Sequence, residues 1–122
     1  MALTTKTLLP LTTYGVPSGN YNGTTPDFIG DTVPAASYYT VKSGSMQTAV
    51  ITATNFVGKI TLQATLGTIA EQTVWFDVES YGNATTPTSG TTPINLVGNF
   101  VWVRAVVTGF TGGTINSAIL LF

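Results

Sequence analysis

Apolar and polar residues alternate most cleanly between Phe56 and Leu66. Phe56, Ile60, Leu62, Ala64 and Leu66 hold the even positions, with Lys59, Thr61, Gln63 and Thr65 between them. A two-residue period sends successive side chains to opposite faces of a sheet, so this stretch predicts a strand with one face on a core. The runs "SYYTV" (Ser37 to Val41), "MQTAVITAT" (Met46 to Thr54) and "TVWFDVES" (Thr73 to Ser80) predict further strands, and "TINSAILLF" a terminal one. Between them, "YGNATTPTSGTTP" (Tyr81 to Pro93) predicts a polar loop, and the Gly-rich "GFTGG" a hairpin turn.

The segment "NFVWVRAVVT" from Asn99 has a different pattern. Its odd row, Val101, Val103, Ala105 and Val107, suits a core face. Its even row, Phe100, Trp102, Arg104 and Val106, is also mostly apolar and is expected to point away from that core. A strand apolar on both sides is covered either by another part of its own chain or by a partner. The tripeptide Asn-Phe-Val at Asn55 recurs at Asn99, but the two apolar rows are out of phase. The repeat therefore reads as two similar strand entries and not as a duplicated unit.

No window carries a 3.6-residue stripe, and Thr, Ser, Gly and Asn alternate with Val, Ile, Phe and Tyr throughout. The prediction is an all-β chain folded as an antiparallel β-sandwich, jelly-roll-like, over residues 37–122, with a barrel as the alternative closure. Residues 1–36 predict an irregular N-terminal segment, interrupted by Pro10, Pro17, Pro26 and Pro34 and rich in turn chemistry such as Asn22-Gly23. Two readings stay open for it: a loop-rich hairpin packed on the sandwich, or an arm reaching a neighbouring subunit.

Composition narrows the function. Charged residues are 7% of the 122, against about 25% in an average soluble domain. The four basic residues, Lys6, Lys42, Lys59 and Arg104, are too scattered to form a phosphate-neutralising stripe, so nucleic acid is not an expected partner. Sparse charge also gives little protection against self-association, which points to a homo-oligomer or a larger assembly. The apolar runs are too short for a membrane span or a signal sequence, so use without secretion is expected. His and Cys are absent, and with them the commonest general base, the thiolate nucleophile and most transition-metal ligands. No catalytic residue, cofactor or metal site is expected.

Few candidates remain. Asp77 and Glu79, two apart beside Trp75, predict one solvated strand face; a carbohydrate-contacting face is the alternative. Asp27 and Asp31 read as turn residues, lacking the alternating oxygen ligands of a calcium loop. Asn22-Gly23-Thr24 and Asn83-Ala84-Thr85 fit the N-glycosylation pattern, which a Thr-rich chain produces by chance. Trp and Arg are enriched at interface hot spots, which makes Trp102, Arg104 and Val106 the first interface candidates. Leu8, Leu9 and Leu11 come next.

The ordered series "SGNYNGTTPDFIGDTV", "YYTV", "FVGKITLQATL", "WFDV" and "GNFVWVRAVVTGFTGGTIN" resembles small virion structural proteins of tailed phages, in particular those of phages of marine cyanobacteria. The likeness runs from about Ser18 to Asn116 and rests mainly on Gly58 to Ala64, Trp75-Phe76-Asp77 and Phe100 to Ala105. The resemblance implies a β-sandwich subunit on the particle surface, made in the host cytoplasm, with no catalytic residues to carry over. A capsid decoration or cement protein is the leading expectation, contacting the major capsid protein or other virion proteins, with a trimer suited to threefold positions. A tail, neck, baseplate or fibre-associated subunit and a carbohydrate-binding adsorption module are the alternatives. After Arg104-Ala105, where a charged residue is expected in such relatives, this chain has Val106, which makes that face more apolar.

Overall fold

A computed structural model describes residues 5–35, 46–65, 75–98 and 100–121. The expected strand at 37–41 and Leu66 lie outside these residues. Four short strands come first: β1 (Thr5–Leu9), β2 (Thr12–Thr13), β3 (Phe28–Ile29) and β4 (Val33–Pro34). Three long ones follow: β5 (Met46–Thr65), β6 (Phe76–Val97) and β7 (Trp102–Leu121). All pairing is antiparallel. β5 lies between β6 and β7, and the four short strands line the far side of β7.

This one hydrogen-bonded sheet is doubled over into a sandwich, and chain length alone requires it. Straight, the 20 residues of β5 would span about 66 Å. Yet β6 ends at Val97 opposite Met46, at one end of β5, and β7 starts at Trp102 opposite Thr65, at the other. The five-residue step from Val97 to Trp102 reaches at most about 18 Å. The ends of β5 must therefore lie close together. Two hydrogen bonds mark the crossing: Val101 N–H to the Thr65 carbonyl at 2.9 Å, and Gln47 Nε2 to the Gly98 carbonyl at 3.2 Å.

The bend divides the ladder into two sheets over one core. The first contains residues 46–54 of β5, 90–97 of β6 and 114–121 of β7, with β1 and β2. The second contains residues 57–65, 76–83 and 102–108, with β3 and β4. In β5 the buried row changes parity at the bend, from Ala49, Ile51 and Ala53 to Phe56, Ile60, Leu62 and Ala64. The switch falls at Asn55, whose φ of 51° is the only positive value outside glycine among the described residues. A register shift accompanies it. β7 bends beside it, at Gly113 (φ 81°), where a Cβ would collide with the Asn55 carbonyl, so only glycine fits. Phe56 and Phe110 fill the inside of the bend, ring centroids 5.6 Å apart, with Tyr81 and Tyr21 packed on them.

These bends account for three departures from expectation. "GFTGG" is a bend within one continuous strand, and no hairpin turn. Residues 81–93 are not a free loop either: Tyr81 to Asn83 and Thr88 to Pro93 pair with β5. Only Ala84 to Pro87 bulge out opposite the bend, ordered by Asn83 Oδ1, which accepts from Thr85 N, Thr85 Oγ1 and Thr86 N. Phe100, expected to face away from the core, is buried in it, because it precedes β7 in the crossing between sheets. The predicted rows Phe56–Ile60–Leu62–Ala64 and Val101–Val103–Ala105–Val107 are both buried.

The N-terminal segment folds onto its own β7. Asp31 N–H bonds the Leu8 carbonyl, Gly30 N–H the Ala105 carbonyl, and Ala35 N–H the Val101 carbonyl. Tyr21, isolated among turn residues, is a fully buried anchor beneath this segment.

Candidate functional site

The outer face of the second sheet joins residues that the sequence kept in separate groups. Gln63 pairs with Asp77 of β6 on one side and with Arg104 of β7 on the other. Being directly opposite on one face, their side chains meet. Arg104 Nε donates to Gln63 Oε1 at 2.9 Å, and Gln63 Nε2 donates to Asp77 Oδ1 at 2.9 Å. Trp75, just before β6, lies over Arg104 with the guanidinium carbon 4.2 Å from the ring centroid, a cation–π contact. Burial pulls the Arg104 guanidinium below its ordinary value, but an arginine stays charged at any physiological pH.

Asp77 and Glu79 are both exposed on one strand face, with Val78 between them packed toward the core. A register shift leaves Asp77 opposite Gln63 and Glu79 opposite Leu62, with Val78 as the extra residue. Bulges of this kind re-aim side chains. Both carboxylates line an open recess of about 230 Å³ beside the ladder, with Lys59, Thr61, Val78 and Ser80.

The interface candidates lie in different environments. Trp102, Arg104 and Val106 are each half-buried on this outer face. Thr65, opposite Trp102 and pointing outward, has no exposed surface, so that end of the face is already covered within the chain. Leu8 and Leu9 require a correction: at 0% and 1% exposure they are core residues, held inward by the pairing of β1 with β7. Leu11 is 61% exposed, and Tyr14 (49%) and Val16 (54%) in the same loop are exposed too, a clustering along the chain that sequence periodicity could not show.

The loop carrying these side chains is firmly held. Tyr14 N–H bonds the Gly113 carbonyl, Val16 N–H the Thr13 carbonyl, and Gly15 N–H the buried Tyr21 hydroxyl, each at 3.0 Å. Ser18 Oγ donates to the Leu11 carbonyl at 2.6 Å, and the Tyr14 ring packs edge-on against Phe110.

The remaining candidates have local structural roles. Asp27 Oδ1 accepts from Gly109 N–H at the bend, and Asp31 Oδ1 from Asn20 Nδ2. Asn22 Oδ1 accepts from Thr24 and Thr25 N–H, an Asx turn matching that at Asn83. The Tyr81 hydroxyl is buried with no hydrogen-bond partner among the described residues, and burial raises its pKa.

No protein family, characterised protein or solved structure matches the chain.

Proposed function

We propose that this protein is a structural subunit of a tailed-phage particle, a decoration or cement protein that strengthens the shell through contacts repeated over many copies. The observation that carries this reading is the hydrogen-bonded loop from Leu11 to Val16. It presents three large apolar side chains in the middle of a stretch, Thr7 to Pro26, without a single charge. Several large exposed apolar side chains on one loop are the kind of surface that protein partners cover. Because its backbone is already fixed, docking loses little conformational entropy. Each of the three side chains contributes about 1.5–3 kcal/mol when fully buried, before association costs. Symmetry multiplies that contribution around each cluster of subunits. The resemblance to small phage virion proteins and the sparse surface charge support the same reading.

The test is occupancy on purified particles. Particles assembled with the Leu11→Asp chain should carry at least about tenfold less of it than particles assembled with the native chain. Thermal unfolding of the free Leu11→Asp chain should be unchanged. Absence of the native protein from purified particles, or full occupancy by Leu11→Asp, refutes the proposal.

A further inference from the structure

We infer that the outer face of the second sheet is a carbohydrate-binding site for neutral pyranose chains, with Trp75, Arg104, Gln63 and Asp77 as its contact residues. This surface is distinct from the Leu11–Val16 loop, which packs on the first sheet, and the inference stands independently of the role proposed for that loop.

The face and a pyranose match chemically. A pyranose has an apolar face of C–H bonds and a rim of hydroxyls, each able to donate and to accept. The ladder supplies both kinds of contact. Trp75 provides an amphipathic ring, partly exposed, with Arg104 against one of its faces. Among the described residues, only Nε of Arg104 has an acceptor, which leaves the terminal guanidinium N–H groups as donors. Asp77 uses one carboxylate oxygen on Gln63 and keeps its other lone pairs as acceptors. Bonds from hydroxyls to such charged groups are about twice as strong as neutral ones.

The planar groups are also held in place before any ligand arrives. Arg104 is clamped between Trp75 and Gln63, and Gln63 between Arg104 and Asp77, so binding needs little further ordering. The Val78 bulge brings Asp77 into line with Gln63 and opens the recess beside it. At about 230 Å³ that recess is smaller than the roughly 300–1,000 Å³ of enclosed drug-sized sites. It suits one ring of a chain lying across the sheet. Charge selects the class: the two cations, Arg104 and Lys59, are matched by the two carboxylates, Asp77 and Glu79. The face has no excess charge to favour an anionic polymer.

The experiment is binding of the full chain to an array of immobilised oligosaccharides, with neutral glucans, mannans, galactans and N-acetylhexosamine chains beside uronate-containing ones. Native protein should bind one or more neutral chains. Trp75→Ala and Asp77→Asn should each weaken that binding by roughly tenfold or more. Asp77→Asn preserves shape and an acceptor for Gln63, so it guards against a Trp75→Ala chain that merely unfolds. Binding to no neutral chain, binding to uronates alone, or neutral binding unmoved by Asp77→Asn each overturns the inference.

Discussion

The two outer faces of the sandwich are built from the same three strands, yet they spend their polar groups differently. On the first sheet the cross-strand contacts are short and self-contained. Thr48 Oγ1 bonds Asn95 Oδ1 at 2.9 Å, Thr52 and Thr91 share a bond at 3.1 Å, and Thr54 Oγ1 bonds Asn116 Oδ1 at 3.0 Å. Small hydroxyls and amides largely satisfy one another there, and no charged group takes part. On the second sheet the corresponding positions hold Asp77, Gln63 and Arg104 under Trp75, all planar, two of them charged, and all with capacity left over. One face closes its polar accounts internally. The other is organised to meet something.

The sharpest way to break this comparison is to remove the bend that creates two faces. Gly113→Val places a β-branched side chain at φ 81° against the Asn55 carbonyl. Denaturant unfolding should show a loss of more than about 3 kcal/mol. A loss under about 1 kcal/mol would mean that the strands do not approach so closely.

Next in size is the coupling within each face. A double-mutant cycle on Trp75 and Arg104 should give about 1 kcal/mol, as for a half-desolvated cation–π pair. The matching cycle on Thr52 and Thr91 should give only a few tenths of a kcal/mol. Equal couplings would erase the distinction between the faces.

The Tyr81 hydroxyl probes the core behind both faces. Removing an unpartnered buried hydroxyl recovers its desolvation cost, so Tyr81→Phe should leave stability unchanged or raise it by up to about 1 kcal/mol. Its pH dependence has a fixed sign. The folded pKa is raised by burial, so the unfolded chain releases its proton first, near pH 10. The stability linked to this group is fully present below about pH 10 and is lost as pH rises beyond it. The Phe variant should show less alkaline loss than the native chain in pH-dependent melting. Smallest of all, Leu11→Asp should move stability by no more than about 0.5 kcal/mol, because the side chain has few neighbours to lose.

Much of the fold was legible in the sequence. The two-residue period placed the core rows of β5 and β7 and gave the all-β class. Hidden were the bends, because Asn55 to Gly58 and Gly109 to Gly113 have turn chemistry whether a strand reverses or merely folds over. Local propensity carries no information about that choice, which long-range pairing decides. Tyr21 was hidden for a related reason: one buried ring among turn residues has no period to reveal it. Leu8 and Leu9 looked like contact residues because an apolar pair in an irregular segment gives no sign of which way it faces. The candidate surface was legible in its parts only. Trp75 and Asp77 stood out in one group and Arg104 in another, while Gln63, which connects them across three strands, looked like any polar position on a half-buried strand.

The most direct test of the claim that one outer face is a site and the other is not compares two substitutions on the same neutral-oligosaccharide array. Gln63→Ala removes the hydrogen bonds to Arg104 and Asp77 while leaving Trp75, Arg104 and Asp77 themselves in the chain; Thr52→Ala cuts the equivalent contact on the first sheet. The account predicts that Gln63→Ala loses roughly tenfold or more of the native binding and Thr52→Ala loses none. Equal retention by the two variants, or loss in Thr52→Ala alone, would contradict it.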